Sequence, residues 1–153
     1  MKRLATFLIL LFLLPLPVTA EDSPQYVTDF VNEYNSYCTT FAVPPLPMDG
    51  WRDNTIHYSL SFGDAWFSVD EPVGFKSASI LVQIEDANLD FLAACACLSA
   101  AIRGFSPDIY TDLMTVYIAL RTTPKGENAK YTSHGGIMVM TEREEIILFM
   151  VTK

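Results

Sequence analysis

Ile56-His57-Tyr58-Ser59-Leu60-Ser61-Phe62-Gly63-Asp64-Ala65-Trp66-Phe67-Ser68-Val69-Asp70 alternates apolar with small or polar side chains on both sides of a Gly-Asp pair. Period two marks a half-buried strand, because successive side chains leave a strand on opposite faces. Two such runs joined by two residues, glycine first, predict a β-hairpin with a type II′ turn. With Gly63 and Asp64 as the turn, Phe62 lies opposite Ala65, Leu60 opposite Phe67 and Tyr58 opposite Val69, all on the core face. The other face then pairs Ser61 with Trp66, Ser59 with Ser68 and His57 with Asp70. A slip of one residue would turn every apolar side chain outward, so the pattern fixes the register.

The hairpin sets the frame for the elements around it. Ile80, Val82 and Ile84 predict a third strand over about Ser77 to Glu85. Asp86-Ala87-Asn88 then leads into an apolar helix over about Asn88 to Arg103, closed by Gly104 in an αL stop with Phe105 behind it. Phe91, Cys95, Leu98 and Ile102 form its main stripe, and Ala93, Cys97 and Ala101 form a second one of small residues that admits another backbone closely. Upstream, Ser23-Pro24 reads as a helix start with serine at the N-cap. The spacing of Val27, Phe30, Tyr34 and Tyr37 carries that helix to about Cys38. Pro44-Pro45-Leu46-Pro47 is a stiff, non-helical connector.

Downstream, Ser106-Pro107-Asp108 opens a helix that ends near Arg121, although Thr115 to Ile118 also carries strand formers. A short strand is expected around Lys130 to Ser133. A closing hairpin follows, from Ile137 to Met140 and from Ile146 to Val151, turning through Thr141-Glu142-Arg143-Glu144. The last strand is apolar at every position, which places it inside the sheet or under cover on both faces. This order predicts an α+β domain: an antiparallel sheet of five or six strands packed against about three helices, with a buried apolar central helix.

Residues 1–20 read as a cleavable secretory signal. Lys2 and Arg3 precede an apolar run from Leu4 to Leu16, and Val18-Thr19-Ala20 ends on short side chains before Glu21. The apolar stretch is shorter than the about 20 residues that cross a bilayer, so residues 21–153 are expected as a single exported domain, periplasmic or extracellular, without membrane insertion. The chain has 10 Lys and Arg against 18 Asp and Glu. Loss of Lys2 and Arg3 with the leader leaves 8 basic residues and a formal charge of −10. Such a balance disfavours nucleic acid, which is held through a basic face, and suits a soluble acidic protein. Half of the residues are hydrophobic and 12% are aromatic, enough for one domain to bury a core without metal or disulfide support.

Three cysteines in an exported chain allow one disulfide and one free thiol, or three small buried hydrophobes. Cys95 and Cys97 point about 200° apart around a helix and do not pair with each other. The disulfide candidate is therefore Cys38 with Cys97 or Cys95, and the small-residue stripe favours Cys97. Cys-x-Cys lacks the spacing of zinc or thioredoxin-like sites. The carboxylates Glu85, Asp86 and Asp90 flank a turn and are expected to cap the helix that follows, Glu142, Glu144 and Glu145 solubilise a hairpin tip, and neither set has calcium-loop spacing. No motif implies a metal or a cofactor.

Only two histidines exist, His57 and His134. His57 opposite Asp70, with Ser59 and Ser68 one pair along, holds the residue types of a hydrolase triad. It lacks the strained nucleophile turn and oxyanion donors that the chemistry needs, so no catalytic residue is assigned. The sequence favours a noncatalytic binding module that recognises a protein or small-molecule ligand. Its candidate surface comprises Trp66, His57, Asp70, Ser59, Ser68 and, in the loop from Thr122 to Gly136, His134. The alternative is a small extracytoplasmic hydrolase whose site no motif reveals.

Overall fold

A computed structural model describes residues 23–54, 57–70, 77–83, 86–124, 129–133, 136–141 and 146–153. These form the helices α1 (Gln25–Phe41), α2 (Leu89–Arg103) and α3 (Ile109–Arg121). The strands are β1 (Arg52–Asp53), β2 (Tyr58–Phe62), β3 (Ala65–Asp70), β4 (Ser77–Gln83), β5 (Ala129–Ser133), β6 (Gly136–Thr141) and β7 (Ile146–Thr152). All seven strands join one sheet in the order β1-β2-β3-β4-β7-β6-β5, with every neighbouring pair antiparallel. The architecture is α+β. The strand beyond the expected five or six is β1, too short to carry a periodic signal. The apolar strand β7 lies between β4 and β6, an interior position that matches its lack of a polar face.

The hairpin has the register that alternation dictates: Tyr58 opposite Val69, Ser59 opposite Ser68, Leu60 opposite Phe67, Ser61 opposite Trp66 and Phe62 opposite Ala65. Gly63 has φ 59°, while Ala42 alone among the described non-glycine residues has a positive φ. A positive φ at the first turn residue and not at the second is the type II′ pattern. Leu60 and Phe67 continue across the sheet to Ile80 and Phe149, and all four are buried. Parallel to them, Val69 continues through Ala78 to Val151. These rows form the sheet's half of the core.

Helix α1 buries Val27, Phe30, Val31, Tyr34 and Cys38. The Tyr34 ring meets Phe67 edge-on at 5.8 Å between centroids, and Phe30 meets Trp51 in the same way at 6.1 Å. Ser23 is not the cap: Pro24 occupies the N-cap position without a side-chain hydrogen bond. Its carbonyl accepts the Val27 and Thr28 amides directly, because its own dihedrals, φ −52° and ψ 151°, already aim that carbonyl into the first turn. The helix also runs beyond Cys38 to Phe41, ending when Ala42 turns left-handed at φ 55° and ψ 40°.

The proline connector is part of the core wall. Asn35 donates to the Leu46 carbonyl at 2.9 Å and accepts the Leu46 amide at 2.8 Å, as a neighbouring strand would. The Trp51 indole N–H donates to the Pro47 carbonyl at 3.1 Å. These bonds satisfy polar groups that burial of Leu46 and Trp51 would otherwise leave unpaired.

In α2, residues 91–100 and Ile102 are buried. Asn88 caps its start, its side-chain oxygen accepting the Asp90 and Phe91 amides at 2.9 and 3.1 Å. Gly104 ends it at φ 93° and ψ 158°, a left-handed extended geometry rather than the αL stop, and one open to glycine alone. Phe105 folds back onto α1, stacking on Tyr37 at 6.4 Å. The stretch from Thr115 to Ile118 is helical in α3. There Ile109 and Leu113 are buried, and the Tyr117 hydroxyl donates to the Ala87 carbonyl ahead of α2.

Two substitutions test this packing. Leu60 is 5% exposed, and Leu60→Ala should cost about 2–5 kcal/mol in urea unfolding through an unfilled core site. Ala42→Gly should raise stability by up to about 1 kcal/mol, because αL geometry disfavours a residue with a Cβ. An unchanged urea midpoint in Ala42→Gly would contradict strain at that turn.

Candidate functional site

The face of the sheet opposite the core is the candidate site. Trp66, on β3, is 56% exposed. Across the ladder from it stand Leu81 and Leu148, both half-buried, and Met150, diagonal to Leu81, is 37% exposed. Ser61 beside Trp66 is exposed. Ser68 and Ser79, paired across β3 and β4, share a hydrogen bond at 2.9 Å. The outcome is an apolar stripe beside a row of small hydroxyls. Trp66 projects because both of its ladder neighbours, Ser61 and Leu81, are shorter than the indole.

The other candidates behave differently. Ser59 shares this face by register yet is buried, because β1 pairs over it through Arg52 and the Asn54 amide donates to its hydroxyl. It is therefore not part of the contact surface. Asp70, at the end of β3, accepts the Ser77 hydroxyl. Burial lifts its carboxyl above the ordinary range, against the opposing pull of its backbone N–H and of nearby His57. His134 lies outside the described residues, as do residues 1–22, Glu85 and residues 142–145.

Trp66, Ser68 and Asp70 thus share a strand face, with His57 acting electrostatically on Asp70. The hydroxyls of Ser59 and Ser68 are held by Asn54 and Ser79, which turns the serines of the triad-like set into sheet cross-links. Among the described residues, no group of three His, Cys, Asp or Glu side chains could hold a metal ion. No described helix is long and apolar enough to cross a membrane.

The fold also opens two clefts that the sequence did not reveal, since each draws its walls from distant segments. One, of about 410 Å³, lies where α1 passes the ends of β3 and α2, and sets Asp29, Glu33 and Asp70 against Arg103 and Lys153. Arg103 is held there by donating to the Thr152 carbonyl at 2.6 Å. The other, of about 190 Å³, opens beside the hairpin turn, with Phe62, Phe67 and Phe91 in its wall and Asp64, Asp86 and Asp90 around it.

Cys38, Cys95 and Cys97 are unbridged and buried. The Cys38 and Cys97 thiols both donate to the Tyr34 carbonyl, at 3.6 and 3.2 Å. Burial raises all three thiols above their ordinary range. Held protonated, they are poor nucleophiles and poor metal ligands.

No protein family, curated protein or solved structure matches the chain, which leaves geometry as the guide to function.

The raised Asp70 carboxyl makes a pH prediction. A carboxyl harder to ionise in the folded chain destabilises it above the folded pKa, and this penalty disappears below the unfolded one. Asp70→Asn should therefore raise stability at pH 7, and the gain should vanish as pH falls below the ordinary carboxylate range. Denaturation curves at pH 7 and pH 3 check it. A gain that persists at pH 3 would contradict the assignment.

Proposed function

We propose that the protein is an exported, noncatalytic binding domain whose partner is another protein, gripped on the open sheet face around Trp66. The observation that carries this reading is the exposure of Trp66 on a sheet face that also presents Leu81, Leu148 and Met150. Tryptophan is enriched among the side chains that dominate binding energy, because a rigid amphipathic ring buries a large area at low entropic cost. The hydroxyl row beside it supplies hydrogen bonds without net charge.

Charge distribution supports the same reading. The chain is strongly acidic, yet Ser61, Trp66, Ser68, Ser79, Leu81, Leu148 and Met150 are neutral, and the charges on this face, Asp70 and Arg52, stand at the strand end and the edge. Affinity at this face comes from apolar burial and shape, so it should change little between low and moderate salt. The leader-like pattern of residues 1–20 supports an encounter outside the cytoplasm.

The test compares wild type with Trp66→Ala, purified from the native host and examined by native mass spectrometry. Trp66→Ala should leave stability within about 1 kcal/mol while weakening the recovered complex by about 30-fold or more, the scale of a binding hot spot. Equal retention of the same partner by both proteins would move the binding surface elsewhere. Hydrolytic turnover that survives purification to homogeneity would overturn the noncatalytic reading.

A further inference from the structure

We infer that Cys38 and Cys97 form an intramolecular disulfide when the chain folds in an oxidising compartment, and that Cys95 remains a free thiol. Two thiols from different helices converge on one acceptor: Cys38 of α1 and Cys97 of α2 both donate to the Tyr34 carbonyl, at 3.6 and 3.2 Å. In the same position the Cys38 sulfur is also 3.7 Å from the Asn35 side-chain oxygen and 3.6 Å from the Pro44 carbonyl, so its contacts are shared among long, weak acceptors rather than concentrated in one. The backbones come close here because Ala93, Cys97 and Ala101 put a strip of small side chains on α2. Cys95 lies about 200° around the helix axis from Cys97.

The oxidant is an external disulfide of the small-molecule or protein class. One cysteine thiolate attacks it, forming a mixed disulfide and releasing one thiol. The second thiolate attacks the protein sulfur of that mixed disulfide, closing the Cys38–Cys97 bond and releasing the second thiol. Two protons pass from the protein thiols to the two released thiolates, and two electrons reduce the external disulfide. Because all three thiols are buried in the finished fold, the exchange takes place while α1 and α2 are still coming together, and the bond is afterwards shielded. It ties the C-terminal end of α1 and the proline connector to α2, closing a long loop that contains the whole hairpin.

The experiment refolds the full chain with oxidised glutathione, denatures it without reductant and alkylates it with iodoacetamide. The expected product carries one label, on Cys95, and yields a Cys38–Cys97 linked peptide. Reductant should lower the Tm of wild type and of Cys95→Ser by on the order of 10 °C, and leave Cys38→Ser and Cys97→Ser unmoved. Labelling of all three cysteines, or a linked peptide that contains Cys95, overturns the inference. Peptide mapping uses wild-type protein alone, so the result does not depend on any variant folding.

Discussion

A sheet whose strands send their apolar side chains to one face must be covered on that face, and the rest of this molecule answers that requirement. Leu60, Phe67, Val69, Ile80, Phe149 and Val151 present a continuous apolar surface. α1 meets it with aromatic rings, above all Tyr34 on Phe67. α2 adds a helix buried from residue 91 to 100 and at Ile102, with its charged side chains at the two ends, and α3 packs beside it. Tyr34 joins these layers in one residue, its ring on the sheet and its carbonyl receiving thiols from both α1 and α2.

The two tryptophans show how local partners decide the fate of one residue type. Trp51 is buried because its indole N–H reaches the Pro47 carbonyl and its ring lies against Phe30. Trp66 projects from the opposite face of the sheet. An indole in the core needs a hydrogen-bond partner, and the proline connector supplies one because its own backbone is fixed by Asn35. The connector is thus a wall of the domain as well as a link between α1 and β1.

Much of this was legible in the sequence where a period could be read. The hairpin pairing followed from alternation and α2 from its stripes, although the helix is capped by Asn88 rather than by the neighbouring carboxylates. What escaped reading has a physical cause in each case. β1 is two residues long, so no period exists to detect, and with it went the burial of Ser59. The cap at α1 escapes a reading by residue type because Pro24 directs its own carbonyl into the first turn and leaves Ser23 without that task. The geometry of Gly104 depends on how Phe105 returns to α1, which no local pattern encodes. The clefts combine α1, β3 and α2 or the hairpin and β4, and spacing along the chain says nothing about such meetings. At the candidate site, the exposure of Trp66 was readable from parity alone, whereas the anchoring of Ser68 by Ser79 required the register of a third strand.

The brevity of β1 has a further consequence. An open sheet ends in strands whose outward backbone groups lack partners, and such rims invite another chain to add a strand and begin aggregation. On the β2 side, β1 matches Ser59 and Tyr58 with Arg52 and Asp53, the Asn54 amide adds one bond to the His57 carbonyl, and the Arg52 and Asp53 side chains are exposed and charged. A second chain approaching there meets a guard too short to template a ladder and carrying both signs of charge. On the far side, β5 places exposed Lys130 in the outermost strand. A molecule with an exposed apolar stripe on its open sheet face thus carries charge at the rims through which copies of itself would polymerise.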